Sequence, residues 1–400
     1  MKMPLEGIRV LDLSQMLAGP VCTRRMGDMG AEVIKVELPG TGEVTRSLAG
    51  GNIKDTCGYY IVLNRNKKSI TLNLRDAKAR DIVYRLAKIS DVMIENFRAK
   101  TVDKWGIGYD ALKEVNPKII CCSISGYGQE GPYSQRPAYD PIAQAMSGWM
   151  SITGIEGQEP CLTGLPLGDM LGGTTALYSI LAALIYRDRT GKGGKIDVSL
   201  ADCLIDWLVY VAQFYFIKGN IPSPIGSGHP TNFHRAFKCK DGKWLQVSAP
   251  STPMWDRFVK VLAKNPGYEG LPTDTRFDTL QKRIDNRPIM FPYLNELFMT
   301  KNREEWLTEL LEGDVPSAPI NNVAEALADP QINFRKMVVE VDQPYWGKYK
   351  TTGMPVKMTQ IEQERYDPPP RLGEHNEEIL GSLLGYSKEE IETFKAEGVI

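Results

Sequence analysis

Asp169 stands in the segment Leu165-Pro166-Leu167-Gly168-Asp169-Met170-Leu171-Gly172-Gly173, directly before the apolar run Thr174 to Tyr186. A carboxylate set among glycines at a helix start lies beside backbone N–H groups that have no intrahelical acceptor. Such a side chain can attack an activated carbonyl while those amides hold the oxyanion that forms. Asp is equally a favoured N-cap, a role that needs no chemistry. The segment by itself admits both readings.

Other motifs carry less chemistry. Gly126-Tyr127-Gly128-Gln129-Glu130-Gly131 has the spacing G-x-G-x-x-G after an apolar strand. A dinucleotide loop must open a helix whose N-terminus meets the pyrophosphate. Pro132, Pro137 and Pro141 follow at once, so the stretch reads as a Gly-rich loop and a nicotinamide dehydrogenase ranks last. Thr190-Gly191-Lys192-Gly193-Gly194 lacks the ending of a phosphate loop, and the chain contains no G-x-S-x-G nucleophile elbow. His229, His234 and His375 are scattered, and the seven cysteines show no C-x-x-C spacing. Neither a metal centre nor a disulfide framework is expected. Reduced thiols and an N-terminus without an apolar signal core suit a cytoplasmic protein with no membrane span. A net charge of −1 lacks the basic field of a nucleic-acid binder.

The elements that must hold Asp169 alternate. Strands are expected at 8–13, 32–37, 69–74, 91–95 and 119–124, with helical spacing at 22–29, 77–89 and 109–115. This repetition predicts an α/β fold, a parallel sheet covered by helices in a Rossmann-like layout. Met170 to Ile185 reads as a buried helix. Gly219 to Pro230 reads as a linker, and a hairpin follows over 235–240 and 243–247 around Asp241-Gly242. Helical patterns continue at 254–263, 278–298, 303–311 and 321–328, and Ser387-Lys388-Glu389-Glu390 is a capping box. The division is a large domain over 1–225, a small α+β domain over 226–329, and a return to the large domain over 330–400.

Taken in order, several segments resemble the class III CoA-transferases, the family of formyl-CoA and carnitine CoA-transferases. They are Leu5 to Ser14, Ala18-Gly19-Pro20, Gly30 to Glu37, Leu63 to Ile70, Glu95-Asn96-Phe97, Ser123 to Gly128, Gly168-Asp169-Met170, Thr190 to Gly193 and Leu372 to His375. The resemblance spans nearly the whole chain. It implies a Rossmann-like large domain built from both chain ends, a smaller domain between them, and an interlocked homodimer.

The resemblance also implies a function. CoA would move from an acyl-CoA donor to a free carboxylic acid through aspartyl anhydride and aspartyl-CoA thioester states on Asp169. Coenzyme A thioester is then a substrate, and no permanently bound cofactor or metal is needed. Tyr139 and Asp140 align with an active-site tyrosine and acid; the acid is usually Glu in the best-known members. Contacts to CoA fall on Leu17, Ala18, Arg75, Asn96, Phe97 and Lys104. Phe97 would cover the adenine, and Arg75 and Lys104 would meet phosphates. Leu17 stands where relatives carry Gln. The nearest rival is an α-methylacyl-CoA racemase, which needs two acid/base groups flanking the α-carbon; its histidine falls at Tyr139. A catalytically inactive CoA-binding protein is a third reading, which the intact Gly168-Asp169 disfavours. Trp149, Met150, Phe233, His234 and Trp255 divide between acyl pocket and core.

Overall fold

Six parallel strands form the central sheet of the computed structural model, which describes residues 3–48, 51–54 and 56–400. Their spatial order is Lys67–Thr71, Glu32–Glu37, Arg9–Asp12, Val92–Glu95, Ile120–Ser125, Gly194–Ser199. In chain sequence this is 3-2-1-4-5-6, so the order reverses between the first and fourth strands. Ligands of open parallel sheets bind in the crevice at such a reversal, beyond the carboxyl ends of the strands. Near-continuous apolar runs such as Ile120 to Ile124 are buried on both faces, as parallel strands require.

Contacts divide the chain into two compact units. The first contains 1–150, 162–220 and 331–400; the second contains 151–161 and 221–330. The short excursion of 151–161 into the second unit has no compositional signal in the sequence.

In the first unit the edge strand Lys67–Thr71 is covered by the chain's C-terminal segment. His375 N donates to Ser69 O at 3.0 Å, and Thr71 N donates to the Asn376 side chain at 2.9 Å. Val399 and Ile400 lie in the same apolar cluster as Ile34 and Ile70. The unit thus joins both ends of the chain and leaves that edge protected from outside pairing.

The helix Leu167–Thr190 crosses the helix Ala18–Asp28 closely, because a Cβ on Gly173 would lie 2.4 Å from Ala18 O. Only one side of this long helix is covered. Tyr178, Ile185 and Tyr186 are exposed, so the fully buried helix expected over 170–185 is half-open in the single chain. Farther along the chain, the helix Val209–Lys218 buries none of its residues.

The second unit holds a three-stranded antiparallel sheet, Ser317–Pro319, Trp244–Ser248 and His234–Lys238. Phe237 stacks on Phe298 at 4.1 Å within its core. The single helical pattern at 278–298 is two helices, Leu280–Asp285 and Arg287–Phe298, parted at Asn286. Pro288 sits in the first turn of the second, where a missing N–H costs nothing.

Beneath the crevice of the first unit lies a charged network with no water access. Asp12, Lys35 and Lys67 are each buried. Lys67 Nζ donates to Asp12 at 3.0 Å, and Lys35 Nζ donates to Glu43 at 3.1 Å and to Ser14 O at 2.9 Å. Burial alone would raise the Asp12 pKa; Lys67 and Lys35 outweigh it and hold the carboxyl at about 2. Lys67→Met strands that carboxylate, and a loss of about 3 kcal/mol is expected in urea unfolding. Because the folded pKa lies below the unfolded value, Asp12 stabilises above pH ~4 and this is lost as pH falls through about 2. In Lys67→Met the acid-unfolding midpoint should therefore move to higher pH.

Candidate active site

Two loops meet at the strand reversal. The loop after Arg9–Asp12 carries Ser14, Gln15 and Met16, and the loop after Val92–Glu95 carries Asn96 and Phe97. Asp12 Oδ1 accepts from Ser14 N at 2.9 Å, while the Asn96 amide spans Gln15, accepting from its N at 2.8 Å and donating to its O at 2.7 Å. Directly after these anchored residues Met16 adopts φ +64°. A non-glycine residue holds that left-handed conformation only where its surroundings fix it. The turn sends Met16 toward a cavity of about 550 Å³ and Leu17 away from it.

That cavity runs from the first loop to Asp169. Its lining includes Ala18, Arg75, Asn96, Phe97, Tyr139 and Asp169, with Arg98 and Arg136 as further cations. A second hollow of about 660 Å³ shares Gln15, Val44, Arg75, Phe97 and Trp105 with it. Together they offer the volume of a large cofactor-sized ligand. Phe97 meets Trp105 edge to face at 5.1 Å, giving an aromatic wall beside Arg75.

Asp169 is the third residue of the helix Leu167–Thr190 and does not cap it. The helix begins after Pro166, which has no capping side chain, and Asp140 supplies the missing acceptor from elsewhere in the fold. Asp140 Oδ1 accepts from Gly168 N at 2.6 Å and Asp169 N at 3.3 Å, and its Oδ2 accepts from Gln144 at 2.6 Å. Gly168 permits this approach: a Cβ there would lie 3.0 Å from Asp140 Oδ1. Asp140 is therefore buried and fully engaged. The Asp169 carboxylate has no hydrogen-bond partner among the described residues and faces the cavity. Burial first, and the Asp140 charge second, push its pKa up to about 7.

The amides expected to be free beside Asp169 are thus occupied. Those of Gly168 and Asp169 serve Asp140, and that of Met170 donates to Pro166 O at 3.1 Å. The helix Ala18–Asp28 lacks a side-chain cap. Ala18, which opens that helix, lies at the cavity wall.

Of the residues expected from sequence, Asp169, Tyr139, Ala18, Arg75, Asn96 and Phe97 line one cavity. Three differ from expectation. Leu17 is buried against Val21, Leu63 and Met170, because the Met16 turn points it inward. Lys104 is exposed and lines neither hollow. Asp140 is a helix-capping group outside the cavity lining. Asn96 spends its amide on Gln15 and so positions the first loop. Phe233 and Trp255 pack in the apolar core of the second unit, and Trp149 Nε1 donates to Leu204 O at 2.8 Å. Arg98, Arg136 and Gln15 were not singled out from sequence. Arg136 directly precedes Pro137, and Arg98 follows Asn96 by two; their loop positions were the available signal. Tyr59 was also missed. Its hydroxyl pKa is pushed up to about 12 by burial, with Asp169 the foremost of the nearby charges.

The model of CoA-transferase family III matches residues 5–376. The chain belongs to this family. It is 38% identical over 399 residues to the Homo sapiens succinyl-CoA:glutarate CoA-transferase, covering 99% of this chain and 90% of that one. The Haloarcula marismortui succinyl-CoA:mesaconate CoA-transferase is 36% identical over 386 residues, covering 94% and 95%. The crystal structure of a CAIB/BAIF family protein from Brucella suis superposes with a TM-score of 0.85 at 34% identity, covering 96% of this chain and 100% of that one. The chain is a class III CoA-transferase, an enzyme acting on acyl-CoA and carboxylate substrates.

Within this enzyme, Asp140→Ala is expected to cost about 1–2 kcal/mol through the lost helix cap. It should also lower the Asp169 pKa, since one of the two causes of its elevation is gone. An infrared carboxylate titration, differenced against Asp169→Asn, reads that shift. An unchanged pKa would assign the elevation to burial alone.

Proposed function

We propose that Asp169 is the nucleophile of CoA transfer. Its Oδ attacks the thioester carbonyl of the donor, the C–S bond breaks, and CoA leaves as thiolate. A mixed anhydride now joins Asp169 to the donor acyl group. The thiolate then attacks the aspartyl carbonyl, releases the donor acid, and leaves an Asp169–CoA thioester. The acceptor carboxylate attacks this thioester and displaces CoA again. A last attack by the thiolate on the acceptor acyl carbon gives the new acyl-CoA and restores Asp169. Every step exchanges one activated acyl bond for another, so the reaction needs neither ATP nor a metal.

The observation that carries this reading is an unbonded, half-buried carboxylate facing a cavity of suitable size. Arg75, Arg98 and Arg136 supply cations for phosphates, and Phe97 with Trp105 supplies a stacking surface for the adenine. The names of the human and Haloarcula relatives support succinyl-CoA as donor and a short dicarboxylic acid as acceptor. A homodimer is part of the proposal. Phe216 and Ile217 on the helix Val209–Lys218 are 72% and 73% exposed, an apolar face of the kind that marks subunit contacts.

The racemase reading is not favoured. Among the described residues lining the cavity none is a histidine, and Asp140 is committed to the helix start. Deuterium uptake at the α-carbon without acyl exchange would restore it.

Asp169→Ala should abolish transfer between succinyl-CoA and glutarate, read by mass spectrometry, while CoA affinity stays within about threefold of wild type. Hydroxylamine added during turnover should modify Asp169 alone; modification elsewhere would overturn the assignment. The free enzyme needs Asp169 ionised, so kcat/KM for acyl-CoA should rise with pH through an inflection near 7. For stability the sign reverses. The raised pKa makes ionisation in the fold costly, so Asp169→Asn should be the more stable protein at pH 8, by roughly 2 kcal/mol, and the gap should close below pH ~4.

A further inference from the structure

Two arginines of the second unit carry charge with no acid paired to either among the described residues. Arg235, on the strand His234–Lys238, lies with its guanidinium carbon 4.4 Å from the centre of the Phe291 ring. Its Nε is buried and donates to nothing among the described residues. Arg287 opens the helix Arg287–Phe298, one turn before Phe291, so both groups share a helix face. Arg287 Nη2 donates to the carbonyls of His229 at 2.6 Å, Asn232 at 3.2 Å and Pro230 at 3.4 Å. Neither guanidinium makes an ion pair among the described residues. Each has its pKa lowered by burial, and Arg235 lowers that of Arg287 further. His234 stands beside them, its Nδ1 2.8 Å from Ser248 Oγ and its ring 5.3 Å from that of His229.

Partly buried, mutually repelling guanidiniums are costly unless an anion compensates them. The three carbonyls take one nitrogen of Arg287 and fix its plane. The remaining N–H groups of both arginines are planar donors, the geometry that suits a carboxylate. Phe291, half-buried beside the Arg235 guanidinium, adds an apolar edge for a short methylene chain.

We propose that Arg235 and Arg287 form a carboxylate site in the second unit, and that its ligand is a short dicarboxylic acid. The existence of the site rests on the unpaired arginines; the identity of its ligand rests on the transferase reading.

The test is calorimetric titration of the full chain with glutarate, butyrate and inorganic phosphate. Arg235→Met is the primary variant, because among the described residues Arg235 makes no side-chain hydrogen bond whose loss would disturb the fold. Glutarate affinity should fall about tenfold or more, with CoA affinity within about twofold and an unchanged melting temperature. Arg235→Lys should recover part of the loss, and Arg287→Met should repeat it. The site is refuted if glutarate affinity survives in both Met variants, if wild type binds no glutarate, or if phosphate displaces glutarate at equal concentration. Failure of the Asp169 mechanism is separate: Asp169→Ala would retain transfer whatever the arginine variants do.

Discussion

Asp12, Lys35 and Lys67 hold charge where water does not reach, and the first loop of the sheet is fastened to them. This sets the floor of the cavity. Asp12 grips the amide of Ser14, Lys35 grips its carbonyl, and Asn96 grips both backbone groups of Gln15. With three consecutive attachment points the chain has one path left, through the left-handed Met16. A buried ion network is weak evidence for stability, since apolar residues of similar volume often do as well. Its use here is positional. It fixes a loop that has no regular hydrogen bonding of its own, at the one place in a parallel sheet where a ligand can enter between diverging connections.

Two adjacent-looking aspartates end in opposite states for local reasons. Asp140 lies where the helix Leu167–Thr190 starts without a capping side chain, and its two oxygens meet three donors. Asp169 gives its backbone amide to Asp140, but its carboxylate projects into the cavity and meets no donor among the described residues. Sequence spacing presents both as acids. Only the crossing of two chain segments, which brings residue 140 against residue 168, separates a capping carboxylate from an unbonded one.

That distinction marks the limit of what the residues reveal in order. The strand at 32–37 was legible to the residue, since an apolar run flanked by Gly30 and Pro39 leaves little choice of ends. The Ser387 capping box was equally plain. The first helix was expected from Cys22 but starts at Ala18, because Gly19 and Pro20 read as breakers. Gly19 in fact makes room for Ser14, whose Cβ would lie 2.2 Å from an added Cβ, and a proline in the first turn is harmless. Leu17 was misplaced by one residue for a related reason: the direction of its side chain depends on the Met16 dihedral, which no motif encodes. Lys104 follows from the resemblance alone, yet in this fold it is exposed and lines neither hollow. The segment 151–161 and the arginine pair at 235 and 287 arise from contacts across many residues, and local pattern is silent about them.

The proximity of Asp140 to Asp169 bears on every covalent state of the proposed cycle. In that cycle an acyl group or a CoA sulfur on Asp169 would erase its charge, and with it both the repulsion and the dehydration that raise its proton affinity when bare. The unmodified enzyme is thus the electrostatically strained member of its own series, and the linked forms relax. Intermediates that would lie steeply uphill of a comfortable carboxylate are brought nearer to level ground, which shortens each climb between them.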